Sequence, residues 1–341
     1  MSSTIKDVAA LANVSISTVS RVINNDPRIS QPTVRNVMSA IAACNYIPNT
    51  NARSLKSSKS NTVGLVVSDI SNFYFSAMAK YIEDYLESRG YSLLLCCTDE
   101  NTTREKSAIN RLISQQIDGL IINTCGKNDA ELAKVSRRIP VVLIDRNVSD
   151  ASFVGDYVAD ENHNAIRLMT ENFLENGHTR IGFINGELSV STAKERYEAF
   201  VDTMKTAGID VQNNYPYIFN NGFNLSSGYY GAERLMNCSP PPTAIISTNT
   251  PILLGVLRYL KLNSYRIPED ISLLSYGNIE YGDLFYASIG FSSHNPHSVG
   301  KKAAEFVLSR IEHPELGNRQ CIFDPSLISR NSVKAINGNG R

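Results

Sequence analysis

A small all-helical N-terminal head, a short polar hinge and a two-lobed α/β body are predicted for this chain of 341 residues. Three observations predict it. Residues 4–24 place apolar side chains at helical spacing on either side of a tight turn. Beyond residue 61, short apolar runs alternate with amphipathic stretches of helical length, the pattern of parallel sheets covered by helices. That second region spans roughly 270 residues, more than one core holds comfortably, so two lobes are expected.

In the head, Ile5, Val8, Ala9 and Ala12 form the inward face of a first helix. Thr4 is its N-cap with Asp7 three residues on, and Asn13 suits the left-handed turn that ends it. Val14 fills the turn, and Ser15 caps a second helix whose inward face is Val19, Val22 and Ile23. Its outward face is Ile16, Ser17, Ser20, Arg21 and Asn24. A small, polar, cationic helix face fits a DNA major groove, where Arg21 can reach guanine or phosphate and Ile16 a thymine methyl. The alternative is an ordinary helical hairpin with solvated polar residues. Ser30 and Pro32 open a third helix, with Val34, Val37, Met38 and Ile41 on one stripe and Tyr46-Ile47-Pro48 at its end.

The following run, Asn49-Thr50-Asn51-Ala52-Arg53-Ser54-Leu55-Lys56-Ser57, leads into the polar linker Ser58-Lys59-Ser60-Asn61. Together with the paired helices, this A-R-S-L-K hinge resembles the N-terminal signature of the LacI/GalR family of transcription regulators. The resemblance runs from Thr4 to about Val333. It implies a helix-turn-helix headpiece at 1–48, a hinge helix and linker at 49–61, and a periplasmic-binding-protein-like effector and dimerisation domain at 62–341. It also implies that Ile16, Ser17 and Arg21 reach base edges, with Thr18 beside them. Thr4, Ser15, Ser20, Asn24 and Tyr46 read as phosphate donors that set register. Leu55 matches the family's wedge into a central minor-groove step, Ala52 lets paired hinges approach, and Lys56 faces the backbone. The hinge is too short to be a stable free helix, so it should fold only against its dimer mate and operator DNA.

Charge distribution fits a DNA partner, although the formal net charge is zero. Residues 1–60 hold seven Lys/Arg against two acids, and the rest of the chain holds 26 against 31. Six cysteines lack any C-x-x-C spacing, so neither a zinc site nor a disulfide framework is indicated, and no cofactor is expected. No apolar signal region and no span-length segment is found, so a reducing cytoplasm and no membrane partner are expected.

The body's apolar runs are Val63–Val67, Ser92–Cys97, Gly119–Ile122 and Val141–Ile144, then Ile181–Ile184, Tyr217–Phe219, Ala244–Ile246 and Ile271–Leu274. Loops at the carboxyl ends of such strands make ligand crevices, so a cleft between lobes is expected. By resemblance, the first lobe covers about 62–160 and 291–322, and the second about 161–290 and 323–341. Asn72-Phe73-Tyr74-Phe75 stands where relatives carry N-P-F-F, and its rings suit a sugar face or planar base. Asn123, Asp145, Asp160, Arg196, Phe223 and Asn249 fall at positions where relatives place ligand contacts. Two departures stand out: Ser275-Tyr276-Gly277 replaces a G-Y-D, and Asn249-Thr250 replaces an Asn-Asp. Losing both carboxylates argues against an ordinary free hexose and for a ligand less rich in hydroxyls, or one carrying its own negative charge paired with Arg196.

The function expected is therefore a repressor that binds a pseudo-palindromic operator as a homodimer under control of a small-molecule effector, a sugar or related metabolite. An enzyme is the first rival, but the chain has no glycine-rich phosphate loop, no G-x-S-x-G elbow and no H-E-x-x-H pair. His294 and His297 flank Pro296 and read as loop or helix cap, so no metal site is expected. A two-lobed sugar-binding protein without a DNA role is the second rival, and the basic head argues against it. No leucine heptad follows Val333, which leaves a dimer as the expected assembly.

Overall fold

The computed structural model describes residues 3–23, 26–46, 59–211, 213–279, 282, 287–293 and 295–336. Asn24, Ala52, Leu55, Lys56 and His294 lie outside the described residues. The chain divides into two compact units, Met1–Ser60 and Asn61–Arg341.

The first unit holds α1 (Ile5–Leu11), α2 (Ile16–Ile23) and α3 (Gln31–Ala43). The backbone N–H and hydroxyl of Thr4 donate to the Asp7 carboxylate at 2.7 and 2.8 Å, which holds that carboxyl below its ordinary range. Asn13 has φ 51°, the left-handed turn that frees the chain to start α2. Ser15 Oγ accepts the Thr18 N–H at 3.1 Å and caps α2. Val8, Ala9, Ala12, Val19, Val22, Val37 and Ala40 form the core. Met38 departs from the expected stripe and is 53% exposed. Val34, Val37 and Ile41 of that stripe do pack on the core, with Ala40 beside them in place of Met38. Asn36 Nδ2 donates to the Ala12 carbonyl at 2.8 Å and closes the end of α1.

The second unit contains two six-stranded sheets. The first comprises β1 (Thr62–Val67), β2 (Ser92–Cys97), β3 (Gly119–Ile122), β4 (Val141–Ile144), β5 (Asp156–Asp160) and β11 (Gln320–Phe323), in the order β11-β5-β4-β3-β1-β2. The second comprises β6 (Ile181–Asn185), β7 (Ile218–Asn220), β8 (Ala244–Ser247), β9 (Ser272–Tyr276), β10 (Gly290–Ser292) and β12 (Leu327–Ile328), in the order β12-β10-β9-β8-β6-β7. Every described pairing is parallel except β10 with β12. The alternating side-chain direction of a strand explains why the runs are apolar throughout: Val63, Leu65 and Val67 serve one core, and Val66 the other.

Helices α4 (Phe73–Glu87) and α11 (Pro296–Glu312) cover one face of the first sheet, and α5 (Thr102–Ser114) and α6 (Asp129–Ser136) the other. In the second lobe, α7 (Asn162–Glu175) and α8 (Ser191–Thr206) cover one face, and α9 (Leu225–Met236) and α10 (Thr250–Leu262) the other. The chain leaves the first lobe after β5, returns after β10 and leaves again after β11. Sequence places the return at residue 291, yet Phe291 and Ser292 pair with Ser275 and Tyr276 in the second sheet. The return comes after them, in the residues leading to the N-cap of α11 at Asn295.

Two features fix the site's frame. Helices α9 and α10 touch backbone to backbone: a Cβ on Gly228 would lie 2.0 Å from the Ile252 carbonyl oxygen, and one on Gly255 would lie 2.1 Å from that of Leu225. Their N-termini, and the Phe223 and Asn249 loops before them, are thereby held together. In the first lobe, Asp156 on β5 is wholly buried between Arg310 and Arg319, at 2.6 and 2.7 Å. Burial pushes its carboxyl up, but hydrogen bonds from the two guanidiniums outweigh this and hold it below its ordinary range. This cluster ties β5 to the returning segment α11–β11. Asp156→Asn should destabilise the body by about 3–5 kcal/mol in denaturant unfolding, because it leaves the buried Arg310 and the half-buried Arg319 without their carboxylate. Gly228→Ala should cost about 3 kcal/mol, the upper end for overpacking, because the obstacle is backbone.

Candidate functional site

On the head, α2 presents Ile16, 44% exposed, with exposed Ser17 and Arg21 and half-buried Thr18 and Ser20. Ser15 Oγ lies 2.7 Å from Ser17 Oγ and 2.8 Å from Thr18 Oγ1, so three hydroxyls cluster at the start of this helix. The Thr4 hydroxyl is engaged with Asp7. Tyr46 packs its ring against the head core. Arg28 is paired with Asp26 at 2.7 Å, and its hydrogen bonds lower that carboxyl to about 2. Arg21 is thus the exposed cation standing on the outward face of α2.

In the body, a cavity of about 410 Å³ lies between the carboxyl ends of the two sheets. Each wall is built from the residues just after a strand. The first lobe supplies Asp69 after β1, Tyr74 and Phe75 from the start of α4, Glu100 after β2, and Asp145 and Arg146 after β4. The second supplies Glu187 after β6, Arg196 from α8, Phe223 after β7, Asn249 after β8 and Tyr276 at the end of β9.

Arg196 is 4% exposed and reaches across the cleft. Its Nε donates to Asn162 Oδ1 and its Nη1 to the Thr248 carbonyl, both at 2.8 Å. Its Nη2 lies 3.8 Å from Asp145 Oδ1 in the opposite lobe. The guanidinium stacks 4.1 Å over the Tyr276 ring.

Six of the nine sequence-predicted cleft residues line the cavity: Tyr74, Phe75, Asp145, Arg196, Phe223 and Asn249. Phe73 does not, and is 45% exposed at the first position of α4. Asn123 is fully buried behind the wall, where its Nδ2 donates to Asp145 Oδ2 at 3.1 Å. Asp160 is also behind the wall, accepting from the Tyr74 hydroxyl at 3.3 Å and from the Asn295 N–H at 3.4 Å. Asn249 spends its side chain on structure: Oδ1 caps α10 through Ile252 N–H at 2.8 Å, and Nδ2 donates to the Phe223 carbonyl at 3.3 Å.

Sequence reasoning missed Arg146, Glu100 and Tyr276. Arg146 is 4% exposed and bidentate to Glu100, with both N–O distances 2.7 Å. Its guanidinium lies 5.5 Å over the Phe223 ring, which Arg196 approaches at 5.7 Å. Position after a strand was the available signal: Arg146 directly follows Asp145, and Asp99-Glu100 directly follows the β2 loop. The cavity also supplies carboxylates that Gly277 and Thr250 do not. Asp69, Asp99, Glu100, Asp145 and Glu187 face it against two guanidiniums. Both cations already hold acceptors.

Residues 4–49 match the family described as bacterial regulatory proteins, lacI family, and residues 60–330 match periplasmic binding proteins and sugar binding domain of LacI family. The chain belongs to the LacI family. It is a DNA-binding transcriptional regulator with a small-molecule effector domain, and members of this family are regulators rather than enzymes. It is 32% identical over 335 residues to the HTH-type transcriptional repressor PurR of Aliivibrio salmonicida, covering 98% of this chain and 99% of that protein. Identity to the PurR of Vibrio vulnificus is 33% over 337 residues, with the same coverage. In fold, it is similar to the lac repressor dimer bound to operator and the anti-inducer ONPF, with a TM-score of 0.84, 24% identity, and 98% and 100% of the two chains covered. A LacI family protein from Silicibacter pomeroyi has a TM-score of 0.81 and 26% identity over 97% and 99%. Among the described residues, no helix is long and apolar enough to cross a membrane, and no group of three His, Cys, Asp or Glu could hold a metal ion.

Asp160 ends β5 where the chain leaves the first lobe. Burial, then the charge of Asp145, pushes its carboxyl up to about 7 against the pull of Asn295, Tyr74 and Arg196. A raised folded-state value favours the folded protein fully at pH below about 4, and that contribution is lost as pH rises through about 7. The melting temperature of the wild type should therefore fall more steeply between pH 4 and 7 than that of Asp160→Asn. Parallel slopes in scanning calorimetry would contradict this.

Proposed function

We propose that the cleft takes an uncharged small molecule rich in hydrogen-bond donors, and that its binding alters the affinity of paired heads for a two-fold operator, acting as a switch on repression. The observation that carries this reading is the charge of the cleft. Of the five carboxylates that face it, Asp99 is paired with Arg104, Glu100 with Arg146 and Asp145 with Arg196, whose guanidinium Asn162 and the Thr248 carbonyl also hold, so Asp69 and Glu187 are left without an ion pair among the described residues. Hydroxyl or ring N–H donors satisfy carboxylates, whereas an anion would have to displace them. The Phe223 ring offers a flat apolar contact, and about 410 Å³ suits a mono- or disaccharide, or a base of similar size. Phe75, Asp145, Arg196 and Phe223 are the contacts expected to matter, with Tyr74 beside them. Asn123, Asp160 and Asn249 act by holding loops, and Phe73 is outside the pocket.

On the head, Ile16, Ser17 and Arg21 are the base-reading candidates, with Thr4, Ser15, Thr18, Ser20 and Tyr46 around them as phosphate contacts or supports. Asn24, Ala52, Leu55 and Lys56 remain expectations from the family resemblance. One head of this size buries too little surface for tight specific binding, so pairing as a homodimer over two half-sites is required. The solved lac repressor dimer on its operator supports that arrangement.

Selection of genomic duplexes by the full-length protein, followed by footprinting, identifies the operator. Arg21→Ala should weaken the selected site by about 1–3 kcal/mol and relax preference at one base pair. An equal loss on every duplex, with a salt slope lower by about 1, would make Arg21 a phosphate contact instead. A thermal-shift panel of neutral sugars, nucleobases and sugar phosphates should show stabilisation by a neutral member. Response to phosphorylated members alone would overturn the neutral-ligand reading.

A further inference from the structure

Glu100 occupies an unusual position. Asp99 and Glu100 are consecutive non-glycine residues at φ 51° and 56°, a left-handed pair that costs conformational energy. That backbone turns the Glu100 carboxylate onto both terminal nitrogens of Arg146 at the cavity wall. Arg146 also donates to the Thr124 carbonyl at 3.0 Å, while its buried Nε has no partner. Without Glu100, a nearly buried guanidinium would face the cleft beside the Phe223 ring with its bidentate edge open. Such an edge is built for a carboxylate or phosphate.

We infer that Glu100 is a specificity-determining residue: it fills the anion position of Arg146 with the chain's own carboxylate and so excludes carboxylate- and phosphate-bearing ligands from the cleft. This rests on the reading of the cleft as the effector site and names the feature that sets its charge preference. The residue works by exclusion. An anionic ligand must displace Glu100 from Arg146 and then sit beside that displaced charge and Asp145. Removing the carboxylate while keeping Arg146 should invert the preference.

The test needs no knowledge of the natural effector. Full-length wild type, Glu100→Ala, Glu100→Gln and the double variant Glu100→Ala/Arg146→Ala are titrated with inorganic phosphate and with glucuronate. Binding is read by calorimetry and by tyrosine fluorescence, with circular dichroism as the check on folding. Glu100→Ala should bind at least one of these anions ten-fold or more tighter than wild type, Glu100→Gln should show a smaller gain, and the double variant should lose it. Folded Glu100 variants with no gain would overturn the inference, as would wild type that already binds either anion in the cleft as well as Glu100→Ala does. Should both single variants fail to fold, Glu100→Ser takes their place under the same criteria, and cleft binding of either anion by wild type still overturns the exclusion. A gain in Glu100→Ala with no neutral effector found in any panel would uphold this inference while counting against the proposed ligand class.

Discussion

A buried guanidinium must be given acceptors, and Arg196 finds them on both sides of the cleft. Asn162 and the Thr248 carbonyl hold it in the second lobe, the Tyr276 face supports it, and Asp145 approaches from the first lobe. Asp145 is itself held by Asn123 and has φ 62°, so the backbone turns its carboxylate toward the opposite wall. The arrangement makes lobe position an electrostatic variable. Any ligand that hydrogen-bonds to Asp145 or stacks beside Arg196 alters the force holding the two walls at their present distance. Burial raises the stakes, because an unmatched charge here is expensive in a way a surface ion pair is not.

The same logic accounts for the second pair in the cleft. Arg146 is as buried as Arg196, and Glu100 answers it in bidentate geometry. Each lobe therefore brings one cation whose terminal nitrogens already meet acceptors, and both guanidiniums approach the Phe223 ring. The carboxylates left over face the cavity. Asp69 and Glu187, which come from different loops, are the acids of the wall that have no ion pair among the described residues, whereas Asp99 is paired with Arg104.

Much of this was legible in the sequence. The head could be read residue by residue because helix spacing, Asn13 and the Ser15 cap are local signals. Four strands of the first lobe stand out as apolar runs, and β2, β3 and β4 have the bounds expected of them. Strand β5 escaped notice because D-Y-V-A-D begins with a buried Asp, stable only through Arg310 and Arg319 more than 150 residues away. Strands β10 and β12 are three and two residues long, too short to carry a period. In the cleft, Arg196 and Phe223 were reached through family resemblance. Arg146 and Glu100 were not, since their importance lies in a contact across 46 positions that no spacing reveals. The neutral ligand proposed here differs from the charged-ligand expectation for the same reason: sequence shows Arg196 but not the acceptors that already engage it.

Coupling between the cleft and operator binding is the central claim, and linkage makes it measurable. Operator affinity should be determined for wild type and Arg196→Ala with and without a saturating cleft ligand. Wild-type affinity is predicted to change by about 5–150-fold on ligand addition, the usual range for such coupling, and the variant to keep its ligand-free affinity while losing the change. An unchanged wild-type affinity with the cleft fully occupied would contradict the account.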